Sequence, residues 1–491
     1  MSLAAAGKSE NRDFVGARVV DPRLGLDAIR TIVVRNGMIA ALLDRAPSAP
    51  DPHVERVDCA GMVLCPGFID PHVHVREPGD AHKELLATAL AAAAAGGFCA
   101  IAAMPNTRPA IDDAARVRRL MSDASALRGA RCYPIGAITK EREGEAMASL
   151  RSMAAAGAVA FSDDGSPTKS LKTLYHAAKL VADLPQAFLS HCDDPSFAEA
   201  LMHEGEVSDL LGVPGAPALA EAAWAARDLL VARATGKRWH LCHVSTRTTL
   251  DVLRWAVADG IRATGEVTPH HLQCTHEMLR GFDAAMRVNP PLRTSEDVDA
   301  LRKAVADGAI TVFASDHAPH ASWEKEPPLS HACVGFSGLE TAVAATFDAL
   351  PDVPLKTMVE NFSSHVAELL GVRGGTLAIG APADITGLYL DRPWTVEPDK
   401  FLSLGRVTPF AGRTFKVKPA LTVVGGAIMH RSGDVGSRVP ASRLDSTARP
   451  QESGSTTDKS ATAKDRDSTS RPQEARTTSS HGTTSTGEAR R

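Results

Sequence analysis

The stretch Asp70-Pro71-His72-Val73-His74-Val75-Arg76-Glu77-Pro78-Gly79 decides how this chain is interpreted. Side chains alternate faces along a β-strand, so His72 and His74 are predicted to project from the same side. Two neighbouring imidazoles at a strand end can bind one divalent ion, and Arg76 lies two residues further on. Alone this is a weak signal, because paired histidines also occur in cores and on surfaces. Together with the arginine it favours an enzyme acting on a carboxylate-bearing substrate.

Histidines and aspartates also follow other short apolar segments. They are Asp163 and Asp164 after Ala160-Phe161-Ser162, His191 after Phe188-Leu189-Ser190, His243 after Trp239-His240-Leu241-Cys242, and Asp316 after Val312-Phe313-Ala314-Ser315. Imidazole and carboxylate suit Zn²⁺, and Mn²⁺ or Co²⁺ fit the same donors. The sequence therefore predicts a metal site of four histidines and two aspartates, with either Asp163 or Asp164 taking part.

The spacing of apolar segments predicts the architecture. Across residues 66–372, short apolar strands alternate with longer Ala/Leu/Arg-rich helical patterns, which is typical of a parallel α/β barrel. Residues 11–65 and 373–434 are predicted to form short strands, with a hairpin turn at Asn36-Gly37. The uncharged run from Leu86 to Met104 is predicted as a buried helix (83–95) and a barrel strand (98–103), because alanine is too weakly apolar for a membrane span.

Composition narrows the class of protein. The net charge of −4 over 491 residues gives no reason to expect nucleic acid or an anionic membrane as a partner. Eight scattered cysteines without paired spacing predict reduced thiols in a cytoplasmic protein, and the first residues lack the pattern of a signal peptide. Residues 435–491 are rich in Ser, Thr, Arg and Asp, which predicts a disordered low-complexity tail.

Taken in order, the motifs resemble those of the dihydroorotases, the pyrimidine-biosynthesis members of the amidohydrolase superfamily, in their long-chain bacterial type. The matching segments are residues 66–79, 103–107, 161–165, 191–194, 242–246, 267–272, 289–293 and 315–320. The resemblance covers nearly everything from residue 11 to residue 432. It implies a TIM-like (β/α)8 barrel of the amidohydrolase type, plus a small β-sandwich domain built from both chain ends.

The resemblance also implies a set of metal ligands and a reaction. His72, His74 and Asp316 would hold one Zn²⁺, His191 and His243 a second, and Asp164 would bridge them where many amidohydrolases use a carbamylated lysine. The implied reaction is the reversible cyclisation of N-carbamoyl-L-aspartate to L-dihydroorotate plus water, in UMP biosynthesis. A metal-bridged hydroxide would react, with Asp316 as general acid and base.

Substrate contacts are implied for Arg76, Asn106, Asn289, His320 and the backbone at Gly335. Both asparagines also suit ordinary turn or loop-capping positions. One departure from the family pattern is His331-Ala332-Cys333-Val334-Gly335, where Ala-Pro-Phe-Gly is usual; the glycine is retained.

Some interpretations remain open at this point. The first rival is another cyclic amidase, a hydantoinase or an allantoinase. The second is a non-catalytic, dihydroorotase-like partner of aspartate transcarbamoylase. Assembly with that enzyme and a homodimer are both compatible with the resemblance. Among other residues, His270 and His271 are expected to buttress the pocket, while Cys192 and Cys242 are expected to point to the opposite strand face from the ligands.

Overall fold

The amino-terminal strands belong to a mixed β-sheet. The computed structural model describes residues 11–45, 51 and 53–432. The strands are β1 (Arg12–Asp21), β2 (Leu26–Arg35), β3 (Met38–Leu43), β4 (Glu55–Asp58) and β5 (Val63–Pro66). The predicted hairpin is present between β2 and β3, where Asn36 and Gly37 both have positive φ, as a tight two-residue turn requires.

A second sheet consists of parallel strands arranged in chain order. The next strands are β6 (Phe68–Val73), β7 (Phe98–Ala103), β8 (Arg131–Ala137), β9 (Ala160–Ser162), β10 (Ala187–Ser190), β11 (Met202–His203), β12 (Gly215–Ala216), β13 (Trp239–Leu241), β14 (Ala263–Val267) and β15 (Val312–Phe313). Leaving aside the short β11–β12 pair, these strands form an eight-stranded sheet from β6 to β15. A parallel bridge between Val73 on β6 and His317, four residues beyond the end of β15, brings the two edges of the sheet together into a barrel.

Helices connect the barrel strands. They are α1 (Leu86–Ala95), α2 (Ala114–Ser125), α3 (Leu150–Ala156), α4 (Leu171–Leu180), α5 (Glu206–Leu211), α6 (Ala218–Thr235), α7 (Arg247–Ala258), α8 (Pro269–Gln273), α9 (Ser295–Ala306), α10 (Leu339–Ala349), α11 (Leu355–Phe362) and α12 (Ser364–Leu370). The alanine-rich α1 is buried, but begins at Leu86 and not at Lys83, because the Thr88 hydroxyl accepts from the Leu85 N–H at its start. Among the described helices, none combines the length and apolar character that crossing a bilayer requires.

The remaining strands return the chain to the first sheet. They are β16 (Ile385–Tyr389), β17 (Trp394–Thr395), β18 (Thr414–Phe415), β19 (Lys418–Val424) and β20 (Ala427–Arg431). Strand β16 pairs with β5, which gives the order β20-β19-β16-β5-β1-β2-β3, with β4 beside β1. An apolar cluster unites both chain ends, with Phe14 and Ile32 packed in the same core as Ile385 and Val423.

The fold class predicted from the sequence is confirmed: a parallel α/β barrel accompanied by a β-domain to which both chain ends contribute. The predicted tail, 435–491, lies outside the described residues. All eight cysteines are free thiols, as expected.

Burial within the barrel explains why the functional residues gather at one end. Along β10, Phe188 packs in the large core that includes the surrounding helices, whereas Leu189 belongs to a second apolar cluster. Because side chains alternate in this way, both faces of the strand are used for packing. Polar functional side chains therefore lie at the carboxyl ends of the strands. His191, the residue directly after β10, is one of them.

Candidate metal centre

Four imidazoles lie around the carboxylate of Asp164. Asp164 Oδ1 is 3.4 Å from His72 Nε2 and 3.6 Å from both His191 Nδ1 and His243 Nε2. Its other oxygen, Oδ2, is 3.5 Å from His74 Nε2. These side chains come from the ends of β6, β9, β10 and β13. The barrel therefore brings together residues separated by up to 171 positions in the sequence.

Asp316 completes the cluster from the end of β15. Its Oδ1 lies 3.1 Å from His74 Nε2 and 3.5 Å from His72 Nε2. Asp316 has a φ of 49° and His243 a φ of 33°, the left-handed region in which residues other than glycine are strained. Such strain, on the order of 1–3 kcal/mol per residue, is found where the surrounding structure forces a side chain into a functional position.

The carboxylate of Asp163, the alternative to Asp164, forms its hydrogen bonds away from the histidines. Its carboxylate accepts hydrogen bonds from the backbone N–H groups of Ile138 and Thr139, at 2.9 and 3.0 Å. The hydroxyls of Thr139 and Thr168 donate to it at 2.6 and 2.8 Å. These four bonds turn Asp163 toward the loop after β8, whereas the Asp164 side chain faces the histidines.

The donor set fits divalent metal ions. His72 Nε2 and Asp164 Oδ1, which face each other in the cluster, are buried without a hydrogen-bond partner, which is costly for polar atoms unless a ligand satisfies them. His191 Nδ1 and His243 Nε2 are 2.9 Å apart. Two ligands of one tetrahedral zinc ion, each about 2.0–2.1 Å from the metal, are separated by roughly 3.3 Å. Separations of 2.9–3.6 Å in this cluster are close to that value.

Charges in the centre are strongly coupled. Burial lowers the pKa of His72, but the carboxylates of Asp164, Glu266 and Asp316 outweigh burial and raise this pKa well above its ordinary value. Burial raises the pKa of Asp164, yet the neighbouring histidines hold it well below its usual range. The carboxylates of the centre therefore stabilise positive charge among the histidines. A metal ion and protons compete for the same histidine nitrogens.

Glu266 is a functional residue that the sequence analysis missed. It is fully buried on β14, with Oε1 2.7 Å from His72 Nδ1 and Oε2 3.0 Å from His240 Nε2. It also accepts from the His243 backbone N–H. A carboxylate that receives the outer N–H of a ligand histidine fixes its tautomer and orientation. The sequence feature that could have indicated this role is an acidic residue near the end of the strand that precedes Thr268.

The expected orientation of Cys242 is wrong. Its thiol sulfur lies within 4.8 Å of ligand atoms of His72 and Glu266, not on the face away from the centre. The alternation of faces applies only within a strand, and β13 ends at Leu241. The positive φ of His243 then turns the backbone, so both neighbours in the sequence can face the cluster.

The residues expected to contact substrate form a rim around the centre. Arg76 Nε donates to Pro319 O at 3.2 Å, and Nη2 is 3.3 Å from His320 Nε2. In the described part of the chain, no carboxylate forms an ion pair with Arg76. An arginine without an acidic partner at the mouth of a site is suited to binding a carboxylate ligand.

Both asparagines are engaged with metal-centre histidines. Asn106 Oδ1 is 2.9 Å from His74 Nδ1. Asn289 Nδ2 donates to Asp193 Oδ2 at 3.0 Å and lies 3.2 Å from His191 Nε2. Asn106 thus accepts from His74, and Asn289 donates to Asp193 beside His191, contacts that neither the turn nor the capping interpretation predicts.

Gly335 lies where only glycine fits. Its φ is 110°, and a Cβ atom there would come within 2.6 Å of Ala318 Cβ. Its N–H donates to Arg287 O at 2.9 Å, and its carbonyl accepts from Lys325 Nζ at 2.8 Å. A substrate contact by this N–H would have to replace the bond to Arg287.

His270 and His271 lie beside the centre as buried neutral groups. Thr268 Oγ1 contacts both rings, and His271 Nε2 donates to Pro290 O at 3.0 Å. Burial lowers the pKa of each histidine, that of His271 to about 3. Their packing is in keeping with the expected supporting role.

A parallel barrel with histidines and aspartates converging at its strand ends defines a metal-dependent hydrolase of the amidohydrolase type. The family profile described as dihydro-orotase-like matches residues 61–249. A dihydroorotase of Pelotomaculum thermopropionicum is 43% identical over 420 residues, which cover 84% of this chain and 97% of that protein. One from Syntrophus aciditrophicus is 39% identical over 419 residues, covering 85% and 98%. The chain belongs to the dihydroorotase family and is a cyclic amidohydrolase.

Solved structures agree on the fold. The L-hydantoinase (dihydropyrimidinase) of Arthrobacter aurescens aligns with a TM-score of 0.76 at 24% identity, over 87% of this chain and 97% of that one. A D-hydantoinase of a Thermus species aligns with a TM-score of 0.71 at 20% identity, over 86% and 96%. At these identities the likeness concerns the architecture alone.

Proposed function

We propose that the chain interconverts N-carbamoyl-L-aspartate and L-dihydroorotate, with loss of water on ring closure. The observation that carries this proposal is the convergence of His72, His74, His191 and His243 on Asp164, beside Arg76, with which no carboxylate of the described residues forms an ion pair. Both compounds carry carboxylates, and Arg76 supplies the complementary charge. Family membership gives the same reaction by analogy with the named relatives.

Two zinc ions are proposed for the centre. His72, His74 and Asp316 would hold one, His191 and His243 the other, with Asp164 shared between them. Such a pair would lower the pKa of a bound water toward neutrality and polarise the ring carbonyl. Zinc is favoured by the mixture of imidazole and carboxylate donors.

Asp316 is proposed as the residue that carries the proton. Burial raises the pKa of Asp316, but His72 and His74 outweigh burial and hold it below its usual range, so the side chain is an anion that can accept a proton. During ring opening Asp316 would take a proton from water and deliver it to the leaving ring nitrogen. Ring closure reverses this transfer, so the same carboxyl serves as base and acid.

Recognition is proposed to depend on Arg76, which would bind the substrate carboxylate through two parallel N–H groups. Asn106, Asn289, His320 and the Gly335 backbone are proposed to complete the pocket. Asn106 would do so while also accepting from His74, and Asn289 while donating to Asp193 beside His191.

The activity is tested with purified protein supplied in turn with dihydroorotate, N-carbamoyl-L-aspartate, hydantoins and allantoin. We expect turnover of the first two, its loss after chelation and its recovery with Zn²⁺, with metal content measured in parallel. Turnover of hydantoins or allantoin without dihydroorotate would overturn the proposal.

Asp316→Ala tests the proton path. Because general acid–base catalysis contributes about 10²–10⁴-fold, we expect a loss of that size in kcat while the protein remains folded. Asp251→Ala is the control, since Asp251 is 63% exposed and pairs with the nearby Arg254. Wild-type turnover in Asp316→Ala would exclude the proposed role.

The oligomeric state, a protein partner and the cellular location are also proposed. A homodimer and an association with aspartate transcarbamoylase are both compatible with the family resemblance, and the scattered cysteines favour a cytoplasmic location. Light scattering of the purified chain, alone and mixed with aspartate transcarbamoylase from the same cells, measures the first two. Fractionation of those cells addresses the third.

A further inference from the structure

A second group of metal-binding side chains lies on the loop between β15 and α10. The imidazole of His320, the carboxylate of Glu324 and the thiol of Cys333 each offer a donor atom, and these atoms all lie within 4.8 Å of one another. We propose that His320, Glu324 and Cys333 form a binding site for one thiophilic divalent ion, with Zn²⁺ as the expected occupant; the site is distinct from the histidine–aspartate centre and shares His320 with the proposed substrate pocket.

The hydrogen bonds of His320 leave one nitrogen directed into this site. Nε2 lies 2.8 Å from the carbonyl oxygen of Val334, which can only accept, and this shorter contact assigns the proton to Nε2; Arg76 Nη2, at 3.3 Å, then contacts this nitrogen without a hydrogen bond. Nδ1 then presents a lone pair toward Glu324 Oε2 at 3.4 Å. This nitrogen is buried without a hydrogen-bond partner, in a residue only 5% exposed. A lone pair facing a carboxylate oxygen is unfavourable unless a cation lies between them.

The imidazole is in the form that binds metal. Burial lowers the pKa of His320 to about 3, and the positive charges of Arg76 and Lys83 act in the same direction. A neutral imidazole is therefore available at pH 7, and it needs no deprotonation before it ligates.

The loop backbone holds the donors near one another. The Cys333 N–H donates to Glu324 O at 3.0 Å, which ties the two ends of the segment together. The Ala321 N–H donates to Glu324 Oε2 at 3.0 Å, so this oxygen faces His320. Lys83 Nζ is 3.1 Å from the other oxygen, Oε1. The lysine charge opposes a bound cation, so we expect weaker binding here than in the histidine–aspartate centre.

The donor types select the ion. One nitrogen, one sulfur and one carboxylate oxygen suit Zn²⁺ and other thiophilic ions, whereas Mg²⁺ and Ca²⁺ prefer oxygen alone. Three protein donors leave the fourth position of a tetrahedral ion to water. On binding, the Cys333 thiol releases its proton to solvent and the thiolate sulfur forms the bond to the ion.

Occupancy would change the charge beside the rim of the barrel. Arg76 Nη2 lies 3.3 Å from His320 Nε2, so an ion on the far side of this imidazole places a second positive charge near the arginine. Resting on the proposed function, excess Zn²⁺ is expected to alter the KM for dihydroorotate, and Cys333→Ser to remove this effect.

The binding test uses enzyme loaded with two equivalents of Zn²⁺, which fill the tighter histidine–aspartate centre, and titrated with Cd²⁺, whose bond to a thiolate gives an ultraviolet charge-transfer absorption. We expect one further equivalent of Cd²⁺ with this absorption in the wild type, its loss in Cys333→Ser, and at least about tenfold weaker binding in Glu324→Gln, the loss of one charged ligand. Cys132→Ser is the matched control, because Cys132 is partly exposed like Cys333 but lies on β8, outside the loop that carries the proposed donors.

A second measurement does not depend on a variant. Cys333 is partly exposed, so its alkylation by iodoacetamide can be followed by mass spectrometry. Cd²⁺ should slow alkylation of Cys333 and leave that of Cys132 unchanged. The proposal is overturned if Cd²⁺ gives no charge-transfer absorption, if the absorption persists in Cys333→Ser or disappears only in Cys242→Ser, or if alkylation of Cys333 is not slowed. These readouts do not require turnover, so they fail or succeed independently of the proposed reaction.

Discussion

Glu266 Oε1 lies 2.7 Å from His72 Nδ1, and both side chains are fully buried. The Glu266 carboxylate also accepts from His240 and from the His243 backbone N–H, so it joins β6, β13 and β14 at the metal centre. His72 can therefore offer only Nε2 to a metal ion. Burial raises the pKa of Glu266, but His72 and His240 outweigh burial and keep the group an anion.

We predict that Glu266→Gln weakens the centre without unfolding the barrel. Glutamine has a single acceptor oxygen for the three donors that Glu266 serves, so His72 loses its fixed orientation. Loss of such a partner typically costs about 10–100-fold in metal affinity or activity. Metal affinity is measured by competition with a chromophoric chelator. The control is Glu277→Gln, since Glu277 is exposed and pairs with Arg280. Equal metal affinities in the two variants would contradict the prediction.

The two neighbouring aspartates should behave differently. Asp164→Asn removes the charge that four histidines share, so we predict loss of bound metal. Asp163→Asn instead disturbs an acceptor of four hydrogen bonds. Because hydrogen bonds to charged groups contribute about 1.5–3 kcal/mol each, we expect a free energy of unfolding lower by at least about 2 kcal/mol.

Metal analysis and thermal melting of both variants distinguish the aspartates. The expected pattern is metal loss for Asp164→Asn and a lower melting temperature, with metal retained below that temperature, for Asp163→Asn. The reverse pattern would assign the bridging position to Asp163.

The gathering of histidines at one end of the barrel could be predicted from the sequence, because the carboxyl ends of parallel strands converge. His72 and His191 each follow an apolar strand, and this local signal is sufficient. Local sequence does not decide whether Asp163 or Asp164 faces the histidines. The answer depends on Thr139, which follows a neighbouring strand and supplies two donors to Asp163. The sequence alone left both open, and only the family resemblance favoured Asp164.

Glu266 escaped prediction for a related reason. A buried glutamate is stable only where several donors meet it, and those donors are on β6 and β13, far away in the sequence. The misplaced Cys242 shows the limit of the alternation rule, which ends with the strand at Leu241. The fold class was predictable because strands and helices alternate regularly along the chain. The contacts of residues that follow the strand ends were not predictable in this way.

Arg76→Lys tests recognition at the rim. Lysine keeps the positive charge but loses the planar pair of N–H groups that binds a carboxylate through two bonds. We predict a KM for dihydroorotate about 10- to 100-fold higher, the effect of losing one hydrogen bond between charged groups, with a smaller change in kcat. The control is Arg108→Lys on an adjacent loop, where Arg108 is 75% exposed and lies near Asp80. A change in kcat alone would contradict a role in binding.

Glu340, at the start of α10, should give the stability of the protein a dependence on pH. Its carboxylate accepts from the backbone N–H groups of Leu402 and Ser403, and burial, with the nearby Glu84, raises its pKa to about 7. The ordinary pKa of a glutamate in an unfolded chain is about 4.3. Between these values the folded protein binds more protons than the unfolded chain, so the contribution of Glu340 to stability falls as pH rises from about 5 to about 7.

Glu340→Gln cannot titrate and should escape this loss. The melting temperature of Glu340→Gln minus that of the wild type is therefore predicted to be more favourable at pH 8 than at pH 5, whatever its sign at pH 5. Taking this difference cancels the effect of pH on metal binding, which both proteins share. Glu397→Gln serves as the control, because Glu397 is exposed and pairs with Lys400. A difference for Glu340→Gln that does not change between the two pH values would show that burial leaves this carboxyl to titrate as it does in the unfolded chain.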